Sequence, residues 1–431
     1  MDQVVNQIMF YSRKNLFDEL NRYLEANLDI IKKSMNQVVP AMQSLLPEGR
    51  KYSMGLCYLL YVRAQIPDKG LVELCEQFFS LYDPSQIQGF CADRFGFISH
   101  RYAEIIRTLN LYARGINILT QVTMSLRGTP ESLTPVHADL IMLCLLDRKY
   151  SHARKILDQT ILEINPNRTG VTPKDYLLYY YYGGMVYIGL TQFERAFEFL
   201  QTCITTPCVT TLNAIMVEAF KKFVFVSLIL HGKFAGVPRQ SSGVVQRSIR
   251  QMCQEYVDVA QAYGKRDQEK MQKLVTEHRA VFVADRMMGL LGQVQAAYTR
   301  QAILRLTQTY VTLSLADIQK AVGLSSPDVV ESILLEMADR KELKALINKT
   351  DAMVSFVDAD ASEAVEHLEA AILNVRKSME RIRRVEDSVL VSTEFQLKLL
   401  YKDPKLKQEI LELEEKIRKK GLLSKMTEML Q

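Results

Sequence analysis

The chain has 431 residues, of which 48% are hydrophobic and 24% are charged. This composition is typical of a folded protein, and the length predicts two or three domains instead of one core. The net charge is only +5, from 54 basic and 49 acidic residues, and it indicates no nucleic-acid-binding surface. The seven cysteines include no C-x-x-C pair, which argues against a zinc site and favours free thiols in a reducing compartment.

The chain shows no predicted targeting or membrane segment. Its first residues, Met1-Asp2-Gln3, carry no basic region of the kind that opens a secretory signal. One of the longest apolar stretches, residues 176–190, contains two glycines and is shorter than the roughly 20 residues that span a bilayer. We therefore expect a protein of the cytoplasm and the nucleus that does not bind membranes.

Residues 1–300 have the pattern of a helical-repeat arm. Ala113, Ala153 and Ala196 each precede an apolar helix face, and a period near 40 residues is typical of solenoids built from helix pairs. The third unit approximates the tetratricopeptide (TPR) spacing, in which small residues let two helices approach closely. This predicts a TPR-like right-handed solenoid, with repeat packing at Tyr180, Gly184, Tyr187, Ala196 and Leu200.

Residues 301–360 are predicted to form a winged helix, with the order strand, helix, turn, helix, strand, strand. Ser314 is expected to cap the first helix, Gly323 to end it, and the last two strands to cover residues 343–347 and 353–357. The predicted core face of the second helix comprises Val329, Val330, Ile333, Leu334 and Met337. Its other face carries Asp328, Glu331, Glu336 and Asp339, which argues against contact with nucleic-acid phosphates and favours contact with protein.

Residues 361–431 are predicted to be C-terminal helices for a bundle of subunits. Their apolar residues step by three and four, as in a heptad seam, and a free helix that exposes such a seam usually marks an interface. The predicted interface residues are Leu368, Ile372, Val375, Met379, Ile382, Leu406, Ile410, Leu413 and Ile417.

No recognised catalytic or cofactor-binding motif occurs in the sequence. The six histidines form no H-x-H or H-E-x-x-H pair, and the glycines form no phosphate-binding loop. We therefore predict a non-enzymatic protein with no catalytic residues, no metal and no cofactor. A catalytic pair assembled from distant positions is a weaker alternative, because such sites are defined in space.

Several segments resemble one protein family. A helical-repeat arm that ends in a winged helix is the order found in PCI-domain proteins, which are subunits of the proteasome lid, the COP-nine signalosome and translation initiation factor three. At a finer grain the residues are similar to the family of third subunits of the signalosome. The resemblance covers roughly residues 111–358 and rests on His137-Ala138-Asp139-Leu140, Tyr179-Tyr180-Tyr181-Tyr182-Gly183-Gly184-Met185, Phe193-Glu194-Arg195-Ala196, Ile204-Thr205-Thr206-Pro207 and Met353-Val354-Ser355-Phe356.

The resemblance implies an architectural function. The signalosome removes the ubiquitin-like modifier NEDD8 from the cullins of cullin–RING ubiquitin ligases, and a different, metal-binding subunit carries its isopeptidase centre. The implied partners are the other signalosome subunits, reached through a ring of winged helices and a C-terminal helical bundle, and indirectly the cullin–RING ligases. The alternatives are a scaffold subunit of the proteasome lid or of initiation factor three, and a winged-helix nucleic-acid adaptor.

Overall fold

The computed structural model describes residues 1–392, 395, 396 and 398, except residues 67, 209–211, 341, 349, 350 and 358–360. These residues fold almost entirely into α-helices, with one small β-sheet, so the mostly helical prediction is confirmed. The chain divides into two compact units. One comprises residues 1–310 with 314–333, and the other comprises residues 311–313 with the described residues from 334 onward. The boundaries of the three predicted parts stay predictions.

Twenty α-helices of the described residues precede the first strand. The first ten are α1 (Asp2–Arg13), α2 (Phe17–Ala26), α3 (Leu28–Lys33), α4 (Val38–Leu45), α5 (Ser53–Arg63), α6 (Gly70–Leu81), α7 (Pro84–Ile87), α8 (Ala92–Thr108), α9 (Tyr112–Leu126) and α10 (Val136–Leu146). The next ten are α11 (Tyr150–Leu157), α12 (Pro166–Thr169), α13 (Pro173–Gly189), α14 (Phe193–Thr205), α15 (Ala214–His231), α16 (Gly243–Met252), α17 (Gln254–Lys265), α18 (Gln268–Glu277), α19 (Arg279–Ala284) and α20 (Met288–Thr307). Short 3-10 helices cover Met35–Gln37 and Leu46–Glu48.

Proline, glycine and capping side chains set the helix ends. Helix α13 begins at Pro173, where the missing N–H costs no helical hydrogen bond. Its capping box is complete, because the Asp175 N–H donates to the Thr172 hydroxyl at 3.3 Å and the Thr172 N–H donates to the Asp175 carboxylate at 2.9 Å. Helix α15 ends at Gly232, whose φ of +66° suits glycine.

Successive helices of the arm pack on one another as in a repeat array. Helix α9 packs on α10, α13 on α14, and α14 on α15, while α10 also packs on α13 and so joins neighbouring pairs. Of the three alanines that mark the repeat period, Ala153 and Ala196 are fully buried, whereas Ala113 is exposed. The close contact in that unit is made by Gly115, where an added Cβ would lie 2.7 Å from Ile106 and 2.8 Å from Leu143.

The winged helix has the predicted order of elements: β1 (Thr312–Ser314), α21 (Leu315–Val322), α22 (Pro327–Asp339), β2 (Lys344–Asn348) and β3 (Met353–Val357). The strands form a sheet in the order β1-β3-β2, with Lys344 opposite Val357 and Asn348 opposite Met353. Ser314 caps α21 by accepting a hydrogen bond from the Asp317 N–H at 3.0 Å, and Gly323 ends that helix with φ +72°. Strand β2 begins one residue later than predicted.

The core face of α22 is narrower than the sequence predicted. Val330, Leu334 and Met337 are fully buried, whereas Val329 is 38% exposed and its assignment to the core is wrong. The buried residues step by four and three, which is the helical period, and Val329 lies about 100° from Val330 around the axis. The long helix α23 (Ala361–Val391) follows β3 in the chain.

Candidate subunit-interaction surface

Helix α23 has 31 residues and is about 46 Å long at the usual rise per residue. It forms because the sequence from 361 to 391 contains no glycine or proline and repeats its apolar residues at helical spacing. Five predicted interface residues lie on this helix, and each is between 52% and 64% exposed: Leu368, Ile372, Val375, Met379 and Ile382. The other four, Leu406, Ile410, Leu413 and Ile417, lie outside the described residues.

The apolar surface of α23 extends beyond the predicted residues. Val385 and Val389 continue the steps of three and four, and they are 40% and 46% exposed. Leu390 widens the same surface, whereas the exposed Leu373 lies on the other side of the helix. The extension could have been found from the sequence, since it has the same spacing. We call the residues at 368, 372, 375, 379, 382, 385 and 389 the α23 seam. A continuous apolar stripe of this length usually contacts another protein.

The predicted repeat-packing residues meet between α13 and α14. Gly184 lies against Leu200, and an added Cβ would be 2.9 Å from the Leu200 Cγ and Cδ2 atoms. Tyr187, Ala196 and Leu200 are fully buried, while Tyr180 is half-buried. The ring of Phe199 lies 5.3 Å from that of Tyr180 and 5.1 Å from that of Tyr187. These side chains therefore pack α13 and α14 together.

The outer face of α22 is acidic in the structure as in the sequence. Asp328, Glu336 and Asp339 are exposed, and the only cation near them in an ion pair within the described residues is Arg340, on Glu336. Strand β2 lies at one edge of the sheet, and Leu346 on it is 69% exposed. An edge strand with an exposed apolar side chain suits pairing with another protein, whereas an acidic helix repels phosphates.

Sequence reasoning missed a partly buried ionic bridge that joins α8, α10 and α13. The His100 Nδ1 lies 2.8 Å from the Asp139 carboxylate, and its Nε2 lies 3.1 Å from the Asp175 carboxylate. Burial alone would lower the pKa of His100, but the two carboxylates outweigh it and raise that pKa to about 10. Because both ring nitrogens donate, His100 has no free lone pair with which to accept a proton as a general base.

The cysteines and carboxylates of the described residues form no cluster of potential metal ligands, and several of the thiols are buried. No group of three or more potential metal ligands occurs in this part of the chain. Burial raises the pKa of Cys144, Cys203 and Cys253 to about 12, so these thiols stay protonated and weakly nucleophilic at neutral pH. None of the helices between residues 1 and 392 that the structure describes combines the length and apolarity required to cross a membrane.

Comparisons with known proteins agree with this arrangement. The family described as COP9 signalosome complex subunit 3, N-terminal helical repeats, matches residues 14–245, and the PCI domain matches residues 275–358. The chain is 29% identical to COP9 signalosome complex subunit 3 of Drosophila melanogaster, over 93% of this chain and 94% of the fly protein. It is 32% identical to the Arabidopsis thaliana protein of the same name, over 75% of this chain and 76% of the plant protein. The chain belongs to the COP9 signalosome complex subunit 3 family, with the helical repeats and the PCI domain in the order that its sequence predicted.

Proposed function

We propose that this chain is a non-catalytic scaffold subunit of the COP9 signalosome, which it joins through the α23 seam and its winged helix. The observation that carries the proposal is the exposed seam, an apolar stripe along a 31-residue helix. Exposing it to water is unfavourable by about 25 cal/mol for each Å² of apolar surface, so burial against other subunits is favoured. Its heptad spacing suits a bundle of helices.

The proposed contribution to deneddylation is architectural. The family resemblance supports a place in the complex that removes NEDD8 from cullins, and therefore an indirect link to cullin–RING ligases. The described residues support a non-catalytic role for the chain, because His100 is held by two carboxylates and the buried thiols stay protonated. We propose that the chain works in both the cytoplasm and the nucleus, which cell fractionation of the tagged protein would test.

Affinity purification of the tagged chain tests the assembly. We expect the other signalosome subunits to co-purify, and recovery of proteasome-lid or initiation-factor subunits in their place would overturn the proposal. The double variant Ile372→Asp/Met379→Asp places two charges on the seam. Because burying an unpaired carboxylate costs several kcal/mol, we expect recovery of the other subunits to fall by at least about tenfold.

A matched variant separates the seam from the helix as a whole. Lys377→Asp/Ser388→Asp introduces the same residue type at two exposed positions on the opposite side of α23. We expect this variant to assemble like the wild type, and both variants to keep the wild-type circular dichroism spectrum. Equal recovery of partners with the seam variant and the control would exclude the seam as the interface.

A further inference from the structure

The segment from residue 232 to residue 253 has an unbalanced positive charge. It contains Lys233, Arg239, Arg247 and Arg250 and no aspartate or glutamate. All four cations are exposed, and none of them forms an ion pair with any residue that the structure describes. Elsewhere in the arm, exposed arginines such as Arg154 and Arg195 lie beside carboxylates. The segment therefore carries a local positive potential that favours an anionic partner.

Two of these cations, Arg239 and Arg250, lie on a turn and a helix that the local structure joins. Helix α16 is anchored by the buried side chains of Val245 and Ile249, which leaves Gln246 and Arg250 on its exposed face. Arg239 lies in the turn before the helix, where the Ser241 N–H donates to the Pro238 carbonyl at 3.0 Å. The Gln246 side-chain amide donates to the carbonyls of Arg239 and Ser241, at 3.0 Å and 2.9 Å, and so ties the turn to the helix.

Arg239, Gln246 and Arg250 line a small cavity of about 370 Å³ together with Val237. Gly236 has a φ of +99°, and an added Cβ there would lie 2.7 Å from a terminal nitrogen of the Arg250 guanidinium. This φ favours glycine, and the absence of a Cβ leaves the Arg250 guanidinium room beside the turn. Two guanidinium groups around one cavity suit a carboxylate, because each can offer two parallel N–H donors.

We propose that this cationic pocket binds a glutamate or aspartate side chain in an acidic segment of a partner protein. Four residues supply the whole lining, two of them arginines, and none is aromatic, so the pocket lacks the aromatic side chains on which successive nucleic-acid bases usually stack. Val237 gives the aliphatic part of an acidic side chain an apolar contact. The pocket lies in the helical-repeat arm, so this contact would add to the α23 seam and does not depend on it.

The isolated full-length chain and a fluorescein-labelled hexaglutamate peptide test the proposal by fluorescence anisotropy. We expect salt-dependent binding that Arg239→Glu/Arg250→Glu weakens by about tenfold or more. The control Arg22→Glu/Lys273→Glu changes the net charge equally at two exposed positions in α2 and α18, and it should bind like the wild type. If both variants weakened peptide binding equally, the effect would come from the total charge alone, and the proposal would be overturned.

Two further binding measurements define what the pocket recognises. Arg239→Lys/Arg250→Lys keeps the charge but loses the paired N–H geometry, and we expect binding about fivefold weaker than in the wild type. Hexaglutamine, which has no charge, should not bind. Tight binding of a phosphoserine peptide without binding of hexaglutamate would overturn the proposal in favour of a phosphate site. Because no other subunit is present, these outcomes are independent of assembly through the seam.

Discussion

At the scale of single residues, the His100 bridge shows how a charge can stabilise the interior of a helical arm. Asp139 is nearly buried and Asp175 is buried, and burial alone would raise the pKa of each carboxyl. His100 opposes this effect at both sites, and with Thr172 it keeps the pKa of Asp175 below its ordinary value. Because one cation faces two carboxylates, its protonated form is strongly favoured in the folded state.

The bridge predicts a pH dependence of stability at alkaline pH. The folded-state pKa of His100 is about 10 and its ordinary value is 6.5, so its contribution is fully present below about pH 6.5 and is lost as pH rises through 10. We expect the difference in unfolding free energy between the wild type and His100→Gln to shrink by about 1–2 kcal/mol from pH 6.5 to 10. This figure is discounted for the partial exposure of the imidazole to solvent. Urea denaturation at several pH values measures it.

His137 supplies a control with the opposite sign. Burial lowers the pKa of His137 to about 4, and its Nδ1 accepts a hydrogen bond from the Thr134 N–H at 3.1 Å, as a neutral ring does. The contribution of His137 to the free energy of unfolding is therefore present above pH 6.5 and is lost as pH falls toward 4. The difference between the wild type and His137→Gln should stay constant from pH 6.5 to 10. A constant difference for His100→Gln over that range would contradict the prediction.

At the scale of helices, two glycines of this chain should respond differently to substitution by alanine, because only one of them lies at a close contact between helices. In Gly184→Ala the new Cβ would lie 2.9 Å from Leu200, which is fully buried and cannot move away. We expect a loss of about 1–3 kcal/mol in the free energy of unfolding, as for other overpacked cores. Thermal and urea denaturation of the full chain would measure this loss.

Gly292 in α20 is the matched control, since an added Cβ there meets no atom within 4 Å. Alanine also forms helices better than glycine, so Gly292→Ala should raise the free energy of unfolding by about 0.5–1 kcal/mol. Changes of opposite sign in the free energy of unfolding for the two substitutions would support close helix packing at Gly184. A stabilising effect of Gly184→Ala would show that α13 and α14 do not approach as closely as the structure indicates.

The elements themselves were largely predictable, because local signals determine them. Thr172, Pro173 and Asp175 determine the start of α13, and Ser314 and Gly323 bound α21 in the sequence as in the structure. The failures come from positions that only three-dimensional packing decides. Ala113 has the repeat spacing, yet Gly115 makes the close contact, because the approach of Ile106 and Leu143 determines which position must be small.

At the scale of the whole molecule, long-range pairing was beyond the reach of the sequence. His100, Asp139 and Asp175 are far apart in the chain and have no common motif, so only the packing of three helices brings them together. The cationic pocket likewise depends on a turn that Gln246 holds against α16. The spacing of the α23 seam was predictable because a heptad repeat is a local pattern, whereas its exposure depends on what packs against the helix.

An exposed seam also predicts how the isolated chain behaves. Apolar heptad stripes associate with one another when no other partner is present, so purified wild-type chain should self-associate as its concentration rises. In sedimentation experiments we expect its apparent mass to increase toward at least twice the monomer mass. The variant Ile372→Asp/Met379→Asp should remain a monomer, because charges on both copies would meet within the seam. The control Lys377→Asp/Ser388→Asp should associate like the wild type. If the wild-type chain stayed monomeric at every concentration, the seam would be too weak to bind an apolar helix by itself. The proposed role of the seam in assembly would then depend on contacts made by the winged helix.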